Sequence, residues 1–331
     1  MLDGALTICS VTRNDVGTYI CKAETILGSA SDASVVITFS RLRFKVPPPQ
    51  EVTPVNGFSV HLPCVAESDL KPTITWTKDG KSHLPVESNI LLNGTLFIHN
   101  IKKLHEGSYT CKATNALSTI EAKVKINSPV VATSCSVITK FVSSVSGNYV
   151  IDPDGAGGLT PFKVYCDMND ENGVGVSVIS HDSESEMLVD GCSPIGCYSR
   201  DIRYTGASLS QLASLTRVSS HCEQFIKYKC YYSAMFTRYG AYAWWVSRDS
   251  SKMTYWGGAS PGSGKCACGM SNSCAGGYGC NCDMNDNVWR EDSGLLTDKT
   301  HLPVKQLRFG ATGGSPLGYH TLGKLKCYGI A

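Results

Sequence analysis

Cysteine placement constrains this chain more than any other property. The 331-residue sequence holds 16 cysteines, and they fall into two groups: Cys9, Cys21, Cys64 and Cys111 lie early, and the other 12 run from Cys135 onward. So many thiols indicate metal or redox centres if the chain is cytosolic, and a disulfide framework if it is extracellular. The late group is Cys135, Cys166, Cys192, Cys197, Cys222, Cys230, Cys266, Cys268, Cys274, Cys280, Cys282 and Cys327, an even count that suits bridges. The length allows two or three domains, each with its own core.

An internal repeat organises the early group. Leu6-Thr-Ile8-Cys9 through Tyr19-Ile-Cys21-Lys-Ala23 aligns, 90 residues on, with Leu96-Phe-Ile98-His through Tyr109-Thr-Cys111-Lys-Ala113. The second copy is complete. Cys64 sits in the alternating run Phe58-Ser-Val-His-Leu-Pro-Cys64, Trp76 follows 12 residues later, and Tyr109 stands two residues before Cys111. This Cys…Trp…Tyr-x-Cys order resembles the I-set immunoglobulin domains of adhesion molecules. The resemblance implies an inter-sheet Cys64–Cys111 disulfide, Trp76 packed against it, and a corner bond from the Tyr109 hydroxyl. His105 departs from the family's Asp-x-Gly-x-Tyr-x-Cys, whose aspartate the first copy keeps as Asp15. That departure is expected to weaken a usual ion pair and leave the fold intact.

The first copy, within residues 1–40, reads as the last three strands of such a domain. It has no earlier cysteine of the pair and no tryptophan, so the face carrying Leu6, Ile8, Val11, Tyr19 and Cys21 lacks a covering sheet. Period-two alternation points Cys9 away from that face and Cys21 into it, so the two are not expected to pair. The N-terminus lacks the basic start and apolar core of a signal peptide. Together these features lead us to expect a fragment, or a chain begun at an internal methionine. Asn93-Gly-Thr95 is an acceptor sequence for N-glycosylation in the turn before Leu96, and Asn93 is expected to carry a glycan.

After a linker over 128–134, the chain changes character. Ser146-Gly-Asn-Tyr-Val-Ile151-Asp-Pro-Asp-Gly155, then Pro161-Phe-Lys-Val-Tyr-Cys166-Asp-Met168, read as two strands about an Asp-Pro-Asp-Gly turn. They closely resemble the opening of fibrinogen C-terminal domains. In that family the first cysteine bridges the one in V-Y-C-D-M, which implies Cys135–Cys166 here. Beyond residue 180 a narrower likeness takes over. Ser220-His-Cys222-Glu-Gln-Phe through Cys230, Trp244-Trp245, Tyr255-Trp256-Gly-Gly, Lys265-Cys266-Ala-Cys268-Gly, Cys280-Asn-Cys282-Asp283 and His301-Leu-Pro-Val304 resemble the fibrinogen-like segment of contactin-associated (neurexin-IV-like) proteins. Those proteins surround the segment with other modules, so their partners do not carry over. The pairing of Cys192, Cys197, Cys222, Cys230, Cys266, Cys268, Cys274, Cys280, Cys282 and Cys327 is not readable from sequence.

Several features admit chemistry. The two C-x-C pairs with Cys274 offer thiolates to zinc, but the even count and the attached immunoglobulin domain favour bridges, each C-x-C pairing outward because adjacent-but-one closure is strained. Asp283, Asn285 and Asp286 offer hard oxygens to calcium, without the spacing of a known loop, and a polar turn is the simpler reading. Trp244, Trp245, Tyr255 and Trp256 suggest a sugar-stacking platform, but consecutive strand residues face opposite sides, so at least one Trp is core. Gly258-Ala-Ser260-Pro-Gly262 matches the hydrolase elbow G-x-S-x-G, yet Pro261 has no N–H to give an oxyanion.

With 30 basic against 28 acidic side chains there is no stripe for nucleic acid, and no run approaches the roughly 18 apolar residues of a membrane span. The expected architecture is mainly β with an α+β C-terminal domain. It comprises a truncated immunoglobulin-like segment (1–40), an immunoglobulin β-sandwich (44–127), the linker, and a disulfide-rich fibrinogen-like domain (135–331). No enzymatic function and no resident cofactor are expected, calcium aside. The expected function is extracellular adhesion or recognition of proteins or glycans, at the cell surface or secreted. A matrix component and a fibrinogen-related, lectin-like immune recognition protein are the alternatives.

Overall fold

A computed structural model describes residues 4–9, 11–28, 30–38, 40–189 and 191–331. It divides into two compact units, Met1–Val130 and Val131–Ala331.

The first unit opens with an antiparallel hairpin, β1 (Gly17–Glu24) and β2 (Ala30–Ile37), with Cys21 opposite Ala33. The expected third strand is missing: residues 4–8 take no regular structure, and Leu6 is exposed. The second copy gives the reason. Its equivalent segment, Leu96–Ile98, is a strand paired on both sides, and among the described residues the first copy has no counterparts of those neighbours. Without ladder partners, a strand's backbone groups stay with water.

The sandwich itself comprises β3 (Arg43–Val46), β4 (Glu51–Val52), β5 (Val60–Leu62), β6 (Val65–Glu67), β7 (Thr73–Lys78), β8 (Ser88–Ile90), β9 (Leu96–Ile98), β10 (Gly107–Thr114) and β11 (Thr119–Ile126). One sheet runs β4-β11-β10-β7 and the facing one β5-β9-β8, with β3 paired to β6. Alternation along β10 turns Tyr109, Cys111 and Ala113 inward against Leu62, Leu96 and Ile98. Cys111 lies beside Trp76 in register and is bridged to Cys64. The Trp76 indole donates to the Gly94 carbonyl (2.9 Å). Gly94 has φ +88°, and a Cβ there would collide with the Cys64 carbonyl oxygen, so glycine is required.

His105 is not the weak point its substitution for aspartate suggests. In the first copy Asp15 Oδ2 accepts from Thr12 N (2.7 Å) and the Tyr19 hydroxyl donates to the Asp15 carbonyl (3.0 Å). In the second, His105 Nδ1 accepts from Lys102 N (2.9 Å) and Tyr109 donates to the His105 carbonyl (3.0 Å). The imidazole reproduces the carboxylate's cap. An accepting Nδ1 places the proton on Nε2, which lies 3.2 Å from Glu87 Oε2 but off the hydrogen-bond line, an electrostatic contact.

The second unit contains α1 (Cys135–Phe141), β12 (Gly147–Ile151), β13 (Phe162–Asp167), β14 (Val176–Ile179), β15 (Met187–Val189), β16 (Tyr198–Asp201), α2 (Leu209–Val218) and β17 (Ser219–Tyr231). It continues with β18 (Phe236–Thr237), β19 (Gly240–Ala241), β20 (Trp244–Val246), β21 (Lys252–Met253), α3 (Ala267–Met270), β22 (Arg290–Leu296), β23 (Gln306–Phe309) and β24 (Leu317–Ile330). The main sheet runs β12-β13-β14-β24-β17-β22, with β15 also on β24, and a second runs β16-β23-β20-β21. Within the first unit the Val130 carbonyl accepts from Asn56 N, and within the second the Ala132 carbonyl accepts from Asp152 N.

The two longest strands, β17 and β24, form the spine. Cys222, Gln224, Ile226, Tyr228 and Cys230 alternate inward from β17. On β24 the buried phase slips after Leu322 to Leu325 and Cys327, where one extra residue bulges opposite Gln224–Ile226. Buried Gln224 and His181 both bond the Gly323 carbonyl that the bulge frees (3.1 and 2.8 Å). Trp245, Tyr255, Trp256 and Phe309 fill the core, with both indole N–H groups bonded to backbone carbonyls (3.0 Å). Trp244 turns the other way, and the Lys252 ammonium lies 3.8 Å from its ring centroid.

Candidate recognition pocket

All 12 late cysteines are paired: Cys135–Cys166, Cys192–Cys197, Cys222–Cys327, Cys230–Cys282, Cys266–Cys280 and Cys268–Cys274. Each C-x-C sends its two sulfurs to different partners. Cys266 and Cys280 lie together with Asp292, but their sulfurs are bonded to each other and leave no thiolate for zinc. Cys9 and Cys21 are unpaired and exposed.

The three calcium candidates diverge. Asp283 is buried; its Oδ1 accepts from Met235 N (3.0 Å) and Phe236 N (2.7 Å), and its Oδ2 from Cys280 N (3.1 Å). Asp286 clamps the Arg290 guanidinium through both oxygens (2.9 and 2.6 Å). Asn285 takes the left-handed turn between them, at φ +48°. The two carboxylates are thus engaged separately, one by backbone N–H groups and the other by a guanidinium. Ser260 lies exposed in a turn with no strand-to-helix elbow about it.

Asp283 instead organises a cavity of about 780 Å³. The Cys230–Cys282 and Cys266–Cys280 bridges hold the turn that carries it. Its carboxylate ties that turn to the start of β18, which pairs with β19 through Phe236–Ala241 and Thr237–Gly240. Arg238 and Tyr239 are therefore the tip of a two-residue hairpin, and Gly240 follows at φ +127°. Thr237 Oγ1 accepts from Tyr239 N (3.1 Å), and the Arg238 guanidinium donates to the Tyr239 hydroxyl (2.6 Å) while lying 4.7 Å from its ring centroid. Phe236, Tyr242 and Tyr278 complete the aromatic wall, and Ser193 and Ala311 close the rim. Tyr239 and Tyr278 are 70% and 52% exposed.

Burial pushes the Asp283 carboxyl up to about 6; its three backbone donors pull against that, and neighbouring Asp292 adds to it. The lining thus offers ring faces, a guanidinium and a buried carboxylate, with no histidine and no free thiol. Such a surface binds by stacking, hydrogen bonding and charge. Sequence reasoning passed over Tyr239, Tyr242 and Tyr278; the local signal was Thr237-Arg-Tyr-Gly240, a tight-turn pattern that puts an aromatic residue at its tip.

In the first unit, Asn93 is exposed in the β8–β9 turn and its Oδ1 accepts from Thr95 N (3.0 Å). Among the described residues no helix is long and apolar enough to cross a membrane.

Residues 43–115 match the family model described as immunoglobulin domain. The chain is 39% identical over 210 residues to contactin-associated protein 1 of Rattus norvegicus, covering 62% of this chain and 15% of that protein. It is 37% identical over 192 residues to neurexin-4 of Drosophila melanogaster, covering 55% and 15%. The chain thus spans about 15% of the length of these relatives. Among solved structures, extracellular domains 3–5 of Drosophila OTK align at 32% identity with a TM-score of 0.26, over 35% of this chain and 40% of that one.

Proposed function

We propose that this chain is a non-enzymatic extracellular adhesion or recognition protein that binds protein or glycan partners through an immunoglobulin domain (44–127) and a fibrinogen-like domain (135–331). The observation that carries the reading is the pocket around Asp283: exposed aromatic rings and a guanidinium on a frame fixed by two disulfides. A rigid, pre-ordered site loses little conformational entropy on binding. Seven bridges in all support an oxidising, extracellular location. The likeness to contactin-associated protein 1 supports the adhesion reading for the second unit, because 210 aligned residues exceed the whole of the first unit. Asn93 is assigned as the glycan attachment site.

The test is binding of the purified chain to arrays of extracellular glycans and of extracellular protein domains, beside Tyr239→Ala and Tyr278→Ala variants. Both substitutions remove exposed rings and spare the core. The reading requires a bound class whose signal falls at least about tenfold in both variants. Equal binding by all three proteins, or none by the parent, counts against it.

A further inference from the structure

The outer face of the main sheet carries a second aromatic assembly, made of residues other than those that line the pocket. β17 sits between β24 and β22, with Lys229 opposite Tyr319 on one side and Glu291 on the other, and Tyr231 opposite Leu317. Leu188 of β15 pairs with Tyr319. Trp289, just before β22, lies 5.4 Å from the Tyr231 ring and 5.8 Å from the Tyr319 ring, centroid to centroid. Three rings from three segments therefore form one ladder. Trp289, Leu188 and Leu317 are exposed, and Tyr231 and Tyr319 partly so. Soluble proteins seldom leave such an apolar patch without a use.

Charge decides what fits it. The ammonium of Lys227 is ion-paired with Glu186 (3.4 Å). Lys229, by contrast, lies over the rings of Trp289 (5.3 Å) and Tyr319 (6.0 Å), and among the described residues it is in no ion pair, although Glu291 is its cross-strand neighbour. The patch presents a cation held in no close ion pair among apolar rings, with the Glu291 carboxylate beside it on the same face.

We propose that this face docks a partner protein through a segment bearing a carboxylate side chain flanked by apolar ones, the carboxylate meeting Lys229 and its neighbours seating on Trp289 and Leu317. Trp and Tyr anchors around a desolvated charge pair are the usual composition of such contacts. The site is independent of the pocket.

The experiment selects a phage-displayed 12-residue peptide library on the full chain, and in parallel on Trp289→Ala, Lys229→Gln, Lys229→Glu and, as a pocket control, Tyr239→Ala. The proposal expects parent-selected peptides to share an acidic residue between apolar ones. It expects them to keep their affinity for Tyr239→Ala and to bind Trp289→Ala about thirtyfold more weakly. Lys229→Gln weakens binding without unfolding the exposed face, and Lys229→Glu selects basic peptides in place of acidic ones. Peptides indifferent to Lys229 and Trp289, peptides lost in Tyr239→Ala, or a concentration-dependent dimer abolished by Trp289→Ala would each overturn it.

Discussion

The two units solve one problem, holding β-sheets together, by different means. The immunoglobulin sandwich closes on a shared core of Leu62, Trp76, Leu96, Ile98 and Tyr109 with one bridge at its centre. The second unit packs its own aromatic core, but the segment from Ala267 to Trp289 has only short helical turns, and there bridges replace ladders. The lesson concerns exposure. A sandwich must turn its large rings inward to stay folded, whereas a cross-linked loop can leave Tyr278 to solvent, and the hairpin anchored on it through Asp283 can leave Tyr239 so. Recognition surface is therefore available where covalent bonds carry the stability.

The largest expected effect separates the units outright. A bridge closing tens of residues contributes on the order of 3–4 kcal/mol, against a net stability of about 5–15 kcal/mol for a domain. Full reduction under native conditions should unfold the second unit and leave 44–127 folded around its buried core. Hydrogen exchange resolved by segment checks this; protection lost first in 44–127 would reverse the comparison. Next in size, Trp76→Ala should cost the sandwich about 3–5 kcal/mol in denaturant unfolding and leave the second unit unchanged.

A third prediction concerns pH. The Asp283 carboxyl is raised to about 6 in the folded unit, so its stabilising contribution is full below about 4 and is lost as pH rises through 6. Burial lowers the His320 imidazole to about 4, with the Arg200 charge adding to it, so its contribution is present above about 6.5 and lost as pH falls toward 4. Each amounts to about 3 kcal/mol at full titration, with opposite sign. Taken alone, the pair cancels between pH 4 and 6.5. Relative to the parent, Asp283→Asn should make stability rise with pH over that window, and His320→Gln should make it fall. Parallel profiles for both variants would show that the two groups do not oppose each other.

The smallest effect lies inside the sandwich. His105→Asp restores the cap acceptor but sets a second carboxylate beside Glu87, lowering stability by about 1 kcal/mol. Adding Glu87→Arg should recover it, a coupling that a double-mutant cycle in thermal unfolding measures. No recovery would mean that His105 and Glu87 do not interact.

Legibility in the sequence followed the same divide. Cys64, Trp76, Tyr109 and Cys111 announce the sandwich because alternation and spacing are local properties of a strand. The first copy carries similar signals, yet Leu6–Ile8 forms no strand, since a strand also needs neighbours that its own residues do not encode. His105 looked like a loss because sequence gives the residue type and not the ring nitrogen facing Lys102. In the second unit, Cys222 and Cys327 meet through β17 and β24 across 105 residues, a pairing set by topology. Among the calcium candidates, Asp283 and Asp286 share a short stretch of sequence, yet one caps backbone N–H groups and the other clamps Arg290. The pocket gathers Tyr239, Tyr278 and Asp283 from separate turns, and no linear spacing joins them.

The central claim, that a disulfide frame holds the proposed recognition surface, is tested most directly by non-reducing peptide mass spectrometry of the chain expressed through a secretory pathway. The account predicts Cys230–Cys282 and Cys266–Cys280 as linked peptides, beside Cys268–Cys274 and an intact Cys64–Cys111. Free or zinc-bound thiols at Cys266, Cys280 or Cys282, or Cys230 joined elsewhere, would contradict it.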